Sequence, residues 1–236
     1  MITATEYRHE YKYLCSPIQL KVLEKRLEKL LRVDKHAGES GTYLIRSVYF
    51  DTPDNTCYYE NENGVDPRSK FRIRIYNCSD TRIVLERKMK RRTMTHKDAC
   101  EITREQCDLL LSGKNPAITS EMPKMLAGML TEMQQRAMRP AVIVQYERKP
   151  FICPVGNVRV TIDMRISSSQ SFDRFFERDM PSRQILANGQ GVLEVKWDQL
   201  LPSYIKEQLQ IDTLQWTAFS KYYLCRKYNN YGVIMK

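Results

Sequence analysis

The sequence lacks most of the short motifs that identify nucleotide-binding and hydrolytic enzymes. It has no GxxxxGK[ST] loop, which excludes a P-loop mechanism, and no GxGxxG turn. The GxSxG elbow that carries a nucleophilic serine is also missing. Any chemistry on phosphate must therefore use a different arrangement of residues.

Cysteine, histidine and long apolar runs are equally uninformative. The seven cysteines are odd in number and contain no CxxC pair, which favours reduced thiols over a disulfide framework or a zinc site. His9, His36 and His96 have no metal-ligand spacing. No apolar run is long enough to span a bilayer. The first residues have neither the basic start nor the apolar segment of a signal peptide. We therefore expect no signal peptide, no transmembrane segment and a cytoplasmic location.

What the sequence does contain is positive charge. It has 38 Lys and Arg against 28 Asp and Glu, a net charge of +10. Such a balance is typical of proteins that bind nucleic acid, an acidic membrane or another polyanion. An apolar fraction of 42% indicates a folded globular chain, and no linker or repeat divides it. We expect one domain over residues 1–236.

Hydrophobic periodicity predicts about eight strands and four or five helices. Capping boxes at Ser16 and Thr103 begin two helices, ending near Leu31 and Leu111. Further helices are predicted at 121–137, 203–209 and 213–228, the last with Asp212 as its N-cap. The predicted strands are 6–14, 43–50, 70–76, 82–90, 97–102, 141–149, 158–166 and 191–197. Mostly in hairpin order, they predict an α+β fold, an eight-stranded antiparallel β-barrel with helices packed outside.

Charged residues recur two apart along these strands, so that they share one face. The rows are Arg8, Glu10 and Lys12; Lys70, Arg72 and Arg74; Glu86, Lys88 and Lys90; Tyr146 and Arg148; Arg159 and Asp163, with Arg165 one row off; and Glu194 and Lys196. For one strand a solvated face is the commoner explanation. The same pattern repeated on several strands favours an anion held among the cations.

The residue types indicate which anion. The planar fork of Arg matches phosphate oxygens, and carboxylates are the ligands that Mg²⁺ or Mn²⁺ prefer. The basic run 88–92 is more typical of a solvated hairpin than of a nucleic-acid patch, and the aromatics do not form an RNA-recognition pattern. We therefore expect a phosphate-rich small molecule or polymer, and no nucleic acid, as partner.

Several short motifs resemble, in order, those of the VTC domain, the polyphosphate polymerase domain of the vacuolar transporter chaperone complex. They cover nearly the whole chain: Tyr7-Arg8-His9-Glu10-Tyr11-Lys12-Tyr13, Arg46-Ser47-Val48-Tyr49-Phe50-Asp51-Thr52, Phe71-Arg72-Ile73-Arg74-Ile75-Tyr76, Leu85-Glu86-Arg87-Lys88, Tyr146-Glu147-Arg148, Val192-Leu193-Glu194-Val195-Lys196 and Phe219-Ser220-Lys221-Tyr222.

The resemblance implies a triphosphate tunnel metalloenzyme, with a basic tunnel and a divalent metal, Mn²⁺ or Mg²⁺. The residues that it points to as catalytic are Lys12, Arg72, Arg74, Lys88, Arg148 and Lys221. Further phosphate-binding candidates are Arg8, Arg46, Lys97, Tyr146, Arg159, Arg165, Lys196 and Ser220. The broader group carries E-x-E-x-K on its first strand, and Arg8 replaces the first Glu here. The metal ligand is therefore expected to be Glu194, with Glu10 and Glu86 as further candidates.

The activity implied is transfer of the terminal phosphoryl group of ATP to a growing polyphosphate chain. A triphosphatase acting on inorganic or nucleoside triphosphates, and a non-catalytic polyphosphate or nucleotide sensor, remain alternatives. ATP or another triphosphate and polyphosphate are the expected partners. A separate membrane protein is a possible further partner, because the eukaryotic polymerases use membrane segments to move their product.

Overall fold

A computed structural model of the protein describes residues 9–92, 94–210, 214 and 217–234. Most of the described chain is an antiparallel sheet with eight long strands. These are β1 His9–Cys15, β3 Tyr43–Asp51, β4 Arg68–Tyr76, β5 Ser79–Arg91, β6 Met94–Glu101, β7 Arg139–Cys153, β8 Val158–Ser169 and β10 Gly191–Trp197. Two short strands, β2 Arg32–Val33 and β9 Arg183–Gln184, pair with β7 and β8.

The eight strands run in the order β1-β10-β8-β7-β3-β4-β5-β6 and curl into a half-barrel. The curl brings the two edge strands together, since β1 and β6 lie against each other without a hydrogen-bonded ladder. Six helices accompany the described sheet: α1 Pro17–Leu30, α2 Thr56–Glu62, α3 Arg104–Leu111, α4 Lys124–Gln135, α5 Ser203–Leu209 and α6 Lys221–Ile234. The predicted α+β fold is confirmed. No helix within the described residues is long and apolar enough to cross a membrane.

The outer face of the sheet is apolar and carries the helices. On one side, Leu20, Leu23 and Leu27 of α1 pack with the outward residues Val160 and Leu193. A larger core joins the rest of the sheet to α3, α4 and α6. Because adjacent residues of a strand point to opposite faces, burying the apolar set outside turns the charged set inward.

The capping boxes form as predicted. The Ser16 backbone N–H donates to Gln19 Oε1 at 2.8 Å, while Gln19 N–H donates to Ser16 Oγ at 3.3 Å. Thr103 caps α3 in the same way. These local signals fix where α1 and α3 begin, so the helices leave the sheet at the positions the sequence indicates.

The last helix departs from its prediction. It was expected from residue 213, but residues 217–220 are not helical and α6 begins at Lys221. Thr217 instead donates its N–H to Lys12 O at 2.9 Å, and Ser220 Oγ accepts from Tyr223 N–H as the cap. The predicted cap Asp212 lies outside the described residues. A short helix, α2, was not predicted; Asp51 holds its first turn by accepting from Cys57 and Tyr58 N–H.

Candidate functional site

The curled sheet encloses a cavity of about 730 Å³. All eight long strands and the first turn of α4 contribute to its lining. The lining residues are Glu10, Tyr43, Ile45, Arg72, Arg74, Tyr76, Lys88, Thr95, His96, Lys97, Asp98, Ala99, Met125, Arg148, Arg159, Thr161, Glu194 and Lys196. Basic residues outnumber acidic ones among them, so the cavity has the volume of a small-molecule site and the charge of an anion site.

Strand β4 contributes two arginines that are fixed by different partners. Arg72 Nε donates to Glu86 Oε2 at 2.5 Å, and Arg72 Nη1 donates to Tyr49 Oη at 2.9 Å. Arg74 Nε donates to Ser47 Oγ at 3.2 Å and its Nη2 to Tyr146 Oη at 3.3 Å, with neutral partners for both bonds. The guanidinium of Arg74 therefore keeps its charge uncompensated by a direct carboxylate, which favours an anion in front of it.

A second buried group lies where β7 and β8 pair. Arg148 and Asp163 are directly opposite, and their side chains form a two-pronged ion pair. Lys221, the first residue of α6, places Nζ 2.6 Å from Asp163 Oδ2 and over the ring of Tyr146. Burial would raise the pKa of Asp163, but Arg148 and Lys221 hold it below its ordinary value. Asp163 alone neutralises only part of these two cations, and a second carboxylate, Glu194, has its Oε1 3.9 Å from Arg148 Nη2.

Two carboxylates share a set of lysines beside this group. Glu194 Oε1 accepts from Lys196 at 2.6 Å, and Glu10 Oε1 lies 2.9 Å from Lys12 Nζ. Lys12 Nζ also lies 4.0 Å from Glu194 Oε2, and Lys196 Nζ lies 3.9 Å from Glu10 Oε1. Burial would raise the pKa of Glu194, but the surrounding cations, with Lys196 foremost, hold it well below its ordinary value. Both carboxylates are therefore anionic and lie near each other.

Positive charge continues along β4 and β5 beyond these residues. Lys70 and Lys88 are directly opposite each other, and Arg68 faces Lys90. Burial, reinforced by Arg68, lowers the pKa of Lys70 to about 7. Burial also lowers the pKa of Lys88 to about 7, although Lys88 lies 3.0 Å from Glu10. Like charges directly across a ladder destabilise a sheet unless an anion lies between them.

Two predicted site residues do not line the cavity. Arg46 is fully buried on the opposite face of β3, where it donates to Gln145 Oε1 and to the carbonyls of Phe175 and Glu177. Arg165 lies at positive φ, next to a bulge between β7 and β8. It is 76% exposed and pairs with Glu147. We leave both out of the proposed site. Arg8 lies outside the described residues.

Glu86, a predicted metal candidate, lies between two basic side chains. Its two oxygens accept from Arg72 Nε and from Lys97 Nζ, the latter at 2.9 Å. Burial would raise the pKa of Glu86, but Arg72 and Arg74 lower it far below its ordinary value. Both oxygens are thus paired with cations, so Glu86 orients Arg72 and Lys97, and its role as a metal candidate stays a prediction.

Ser220 lies beside Lys221 and caps α6, so its hydroxyl hydrogen is still available to a ligand. The alternation that indicated Arg159 also places Thr161 and Asp163 on the inner face of β8, two and four residues later. Sequence reasoning assigned no role to these two residues, nor to Tyr43 and Tyr76. Their position on the same strands as the predicted cations was the available signal.

A curled antiparallel sheet around a basic, carboxylate-bearing cavity defines the class, a triphosphate tunnel metalloenzyme fold. The VTC domain model matches residues 7–229, and the chain belongs to the VTC domain family. A search of curated protein sequences found no match.

Solved structures give a second comparison. The chain is similar to a candidate adenylate cyclase from Bacillus halodurans, with a TM-score of 0.50, 15% identity and 87% of each chain covered. A protein of Pyrococcus horikoshii OT3 matches with a TM-score of 0.46 and 10% identity over 98% of this chain and 100% of that one. The Mimivirus capping enzyme triphosphatase matches with a TM-score of 0.38 and 12% identity, with 88% of each chain covered. The first similarity shows a shared fold.

Members of this fold use divalent metals. Within the described part of the chain, no three Asp, Glu, His or Cys side chains form a complete metal cluster. Glu10 and Glu194 are nevertheless two anionic carboxylates on adjacent strands facing the cavity. Mg²⁺ and related ions commonly take one or two carboxylates and complete their shell with water and substrate phosphates. These two residues therefore fit a metal that enters together with a triphosphate.

Proposed function

We propose that the protein binds a triphosphate in this cavity and transfers its terminal phosphoryl group to a polyphosphate chain, with ATP as the donor. The observation that supports this proposal is the row of inward-facing cations, which contains more positive charges than one triphosphate would neutralise. Arg72, Arg74, Arg148 and Lys88 line the cavity, and Lys70 lies directly opposite Lys88 on β4. A polymer of phosphates is an anion long enough to neutralise the whole row.

The chemistry requires no nucleophile from the protein, because the attacking atom is an oxygen of the acceptor phosphate. The bond between the γ-phosphorus and its bridging oxygen breaks, a new bond to the acceptor oxygen forms, and ADP leaves. Catalysis then consists of positioning and of stabilising charge on the transferred group. The thiols are unsuited to a nucleophilic role, since burial raises the pKa of Cys15 to about 11 and of Cys107 to about 12.

The residues have separable roles in this proposal. Arg74 and Arg148 hold the non-bridging oxygens of the donor, and Arg72, fixed by Glu86, orients the transferred group. Lys12, Lys221 and Ser220 lie on the β1–α6 side and bind the same group from there. Lys88 and Lys70 receive the acceptor chain. Glu194, assisted by Glu10, would hold the divalent metal, which supplies charge neutralisation on the phosphates when it is bound.

The test is a product analysis with purified protein, ATP and Mn²⁺ or Mg²⁺. We expect a phosphate polymer, detected by gel staining and by its digestion with an exopolyphosphatase, and an equivalent amount of ADP. Glu194→Ala should form no polymer. Glu101→Gln is the matched control, because Glu101 is an exposed carboxylate paired with Arg82 on the surface.

If orthophosphate is the sole product, the protein is a triphosphatase that acts at the same site and not a polymerase. If the protein binds tripolyphosphate tightly but shows no turnover with either metal, it is a sensor and neither a polymerase nor a triphosphatase. Absence of tripolyphosphate binding would overturn the site itself.

A further inference from the structure

A buried carboxylate that is not part of the cavity lining fixes the start of α6. Asp51, the last residue of β3, is 2% exposed. It accepts hydrogen bonds from the backbone N–H groups of Thr52, Cys57 and Tyr58. A fourth hydrogen bond comes from Tyr222 Oη, in the first turn of α6. All four donors are neutral groups, and together they stabilise the buried charge and tie Tyr222 to it.

The ring of Tyr222 contacts the phosphate site from behind. Tyr222 is 2% exposed, and Lys70 Nζ lies 4.5 Å from the centroid of its ring. The ring of Tyr49 lies 5.2 Å from that of Tyr222, centroid to centroid. Tyr49 Oη in turn accepts from Arg72 Nη1 at 2.9 Å. One buried side chain therefore contacts Lys70 directly and Arg72 through a single intermediate.

The hydroxyl of Tyr222 restrains the residue that precedes it. Burial and the negative charge of Asp51 raise the pKa of Tyr222, so the hydroxyl stays protonated and donates. Lys221 is the first residue of α6, and residues 217–220 before it are not helical. Consecutive helix residues point about 100° apart, so an anchor at Tyr222 fixes the direction of Lys221. The Nζ of Lys221 is found 2.6 Å from Asp163 Oδ2.

Packing alone does not explain the hydroxyl. A phenylalanine at position 222 would fill nearly the same volume without burying a polar group, which is costly unless it is hydrogen-bonded. The next residue, Tyr223, shows the contrast, because its ring stacks on Tyr58 and its hydroxyl donates to Glu62 at the surface. The two tyrosines thus differ in what their hydroxyls hold, although they are adjacent in the same helix.

We propose that Tyr222 is a positioning residue of the phosphate site, whose ring holds Lys70 and whose hydroxyl, bound to Asp51, holds Lys221 in place beside Asp163. This inference rests on the proposed function, in which Lys221 binds the transferred group and Lys70 receives the acceptor chain. Tyr222 itself touches neither, so its effect on binding must pass through these lysines.

The test is a double-mutant cycle on tripolyphosphate affinity, measured by titration calorimetry in EDTA. Tyr222→Phe keeps the ring and loses the bond to Asp51, and should weaken binding on the order of 5-fold. In a Lys221→Met background the same change should alter affinity by less than about 2-fold, because the residue through which it acts is gone. Tyr223→Phe is the matched control and should bind like the unaltered protein.

The step from Tyr222→Phe to Tyr222→Leu tests the ring separately. It removes the aromatic face under Lys70 and should weaken binding on the order of a further 3-fold, with a smaller effect in a Lys70→Met background. Thermal melts show whether each variant is folded at the titration temperature. If Tyr222→Phe is not, the cycle is run with Asp51→Asn added, which removes the charge that has lost its donor.

The outcomes are distinct. Loss of affinity that disappears without Lys221 supports the positioning role. Equal losses in both backgrounds, or no loss with Tyr222→Phe, overturn it and leave the phosphate site intact, since a purely structural tyrosine gives additive effects. If the unaltered protein does not bind tripolyphosphate, the proposed function itself fails.

Discussion

Arg148 and Asp163 are directly opposite on β7 and β8 and form a two-pronged ion pair at 2.7 and 2.8 Å that is almost wholly buried. Lys221 shares the same carboxylate. This arrangement ties the start of α6 to the sheet and fixes two cations at the wall of the cavity. Asp163 supplies one negative charge to these two cations, and a second carboxylate, Glu194, lies 3.9 Å from Arg148 Nη2.

Asp163→Asn should destabilise the protein, because Arg148 and Lys221 would remain buried without their shared counter-charge. We expect the free energy of unfolding to fall by about 3 kcal/mol in phosphate-free buffer. Tripolyphosphate should raise the melting temperature of this variant more than that of the unaltered protein, since it supplies the missing negative charge. Urea unfolding and thermal melts measure the two effects.

The surface pair Arg82 and Glu101 provides the control for that experiment. Glu101→Gln should change stability by less than about 0.5 kcal/mol, because the pair is exposed. A similarly small effect of Asp163→Asn, or an equal ligand-induced shift in both proteins, would show that the buried pair does not hold the cations in the way described.

Glu194→Gln should separate metal dependence from phosphate binding. Turnover with Mn²⁺ or Mg²⁺ should fall on the order of 100-fold or more, since a metal ligand is lost. Binding of tripolyphosphate in EDTA should become tighter or stay unchanged, because a negative charge leaves a basic cavity. Kinetics and calorimetry on the same preparations test both statements. Weaker metal-free binding would point instead to a structural role for Glu194.

Arg46→Met should affect stability and leave phosphate binding unchanged. Arg46 is buried outside the cavity, and its loss leaves the carbonyls of Phe175 and Glu177 without these donors. We expect a loss of about 2 to 4 kcal/mol in the free energy of unfolding. At a temperature where the variant is folded, its affinity for tripolyphosphate should lie within about 2-fold of the original. A 10-fold weaker affinity with normal stability would restore Arg46 to the phosphate site.

The contrast between Arg46 and Arg74 shows what alternation along a strand can predict. Strand parity places Arg72 and Arg74 on the face opposite Phe71, Ile73 and Ile75, and this holds because the apolar set is buried outside. The alternation of side chains along β3 does not by itself indicate which of its two faces points into the cavity. There, Ser47 and Tyr49 point to the arginines of β4, so Arg46 points away.

Irregular backbone sets the second limit. Arg165 has φ 51° and lies at a register shift, where one extra residue reverses the alternation. Similarly, the start of α6 was placed too early because a helical pattern continues through segment 213–220. The hydrogen bond from Thr217 to Lys12, a contact between distant parts of the chain, decides against helix at that position. Such long-range contacts carry no local sequence signal.

The pH dependence of stability tests whether Lys70 faces the path of the phosphate chain. Burial, with repulsion from Arg68 beside it, lowers the pKa of Lys70 from 10.5 to about 7 on folding. Among the residues that the structure describes, its ammonium group donates to the neutral Asn61 alone, at 2.7 Å, and it lies over the ring of Tyr222. Between pH 7 and 10.5 the folded protein binds fewer protons at this side chain than the unfolded chain does. Its cost to stability is therefore complete below pH 7 and diminishes as the pH rises.

Lys70→Met should consequently be more stable than the unaltered protein at pH 6, by about 1 to 3 kcal/mol, with the difference shrinking toward pH 9. Urea unfolding of both proteins in low-salt, phosphate-free buffer at the two pH values measures this. Lys25→Met, at an exposed lysine of α1, is the matched control. Saturating polyphosphate at pH 6 should reverse the order, because the anion stabilises the charged Lys70. If Lys70→Met has the same stability difference at both pH values, or no reversal with polyphosphate, Lys70 does not face the path of the phosphate chain.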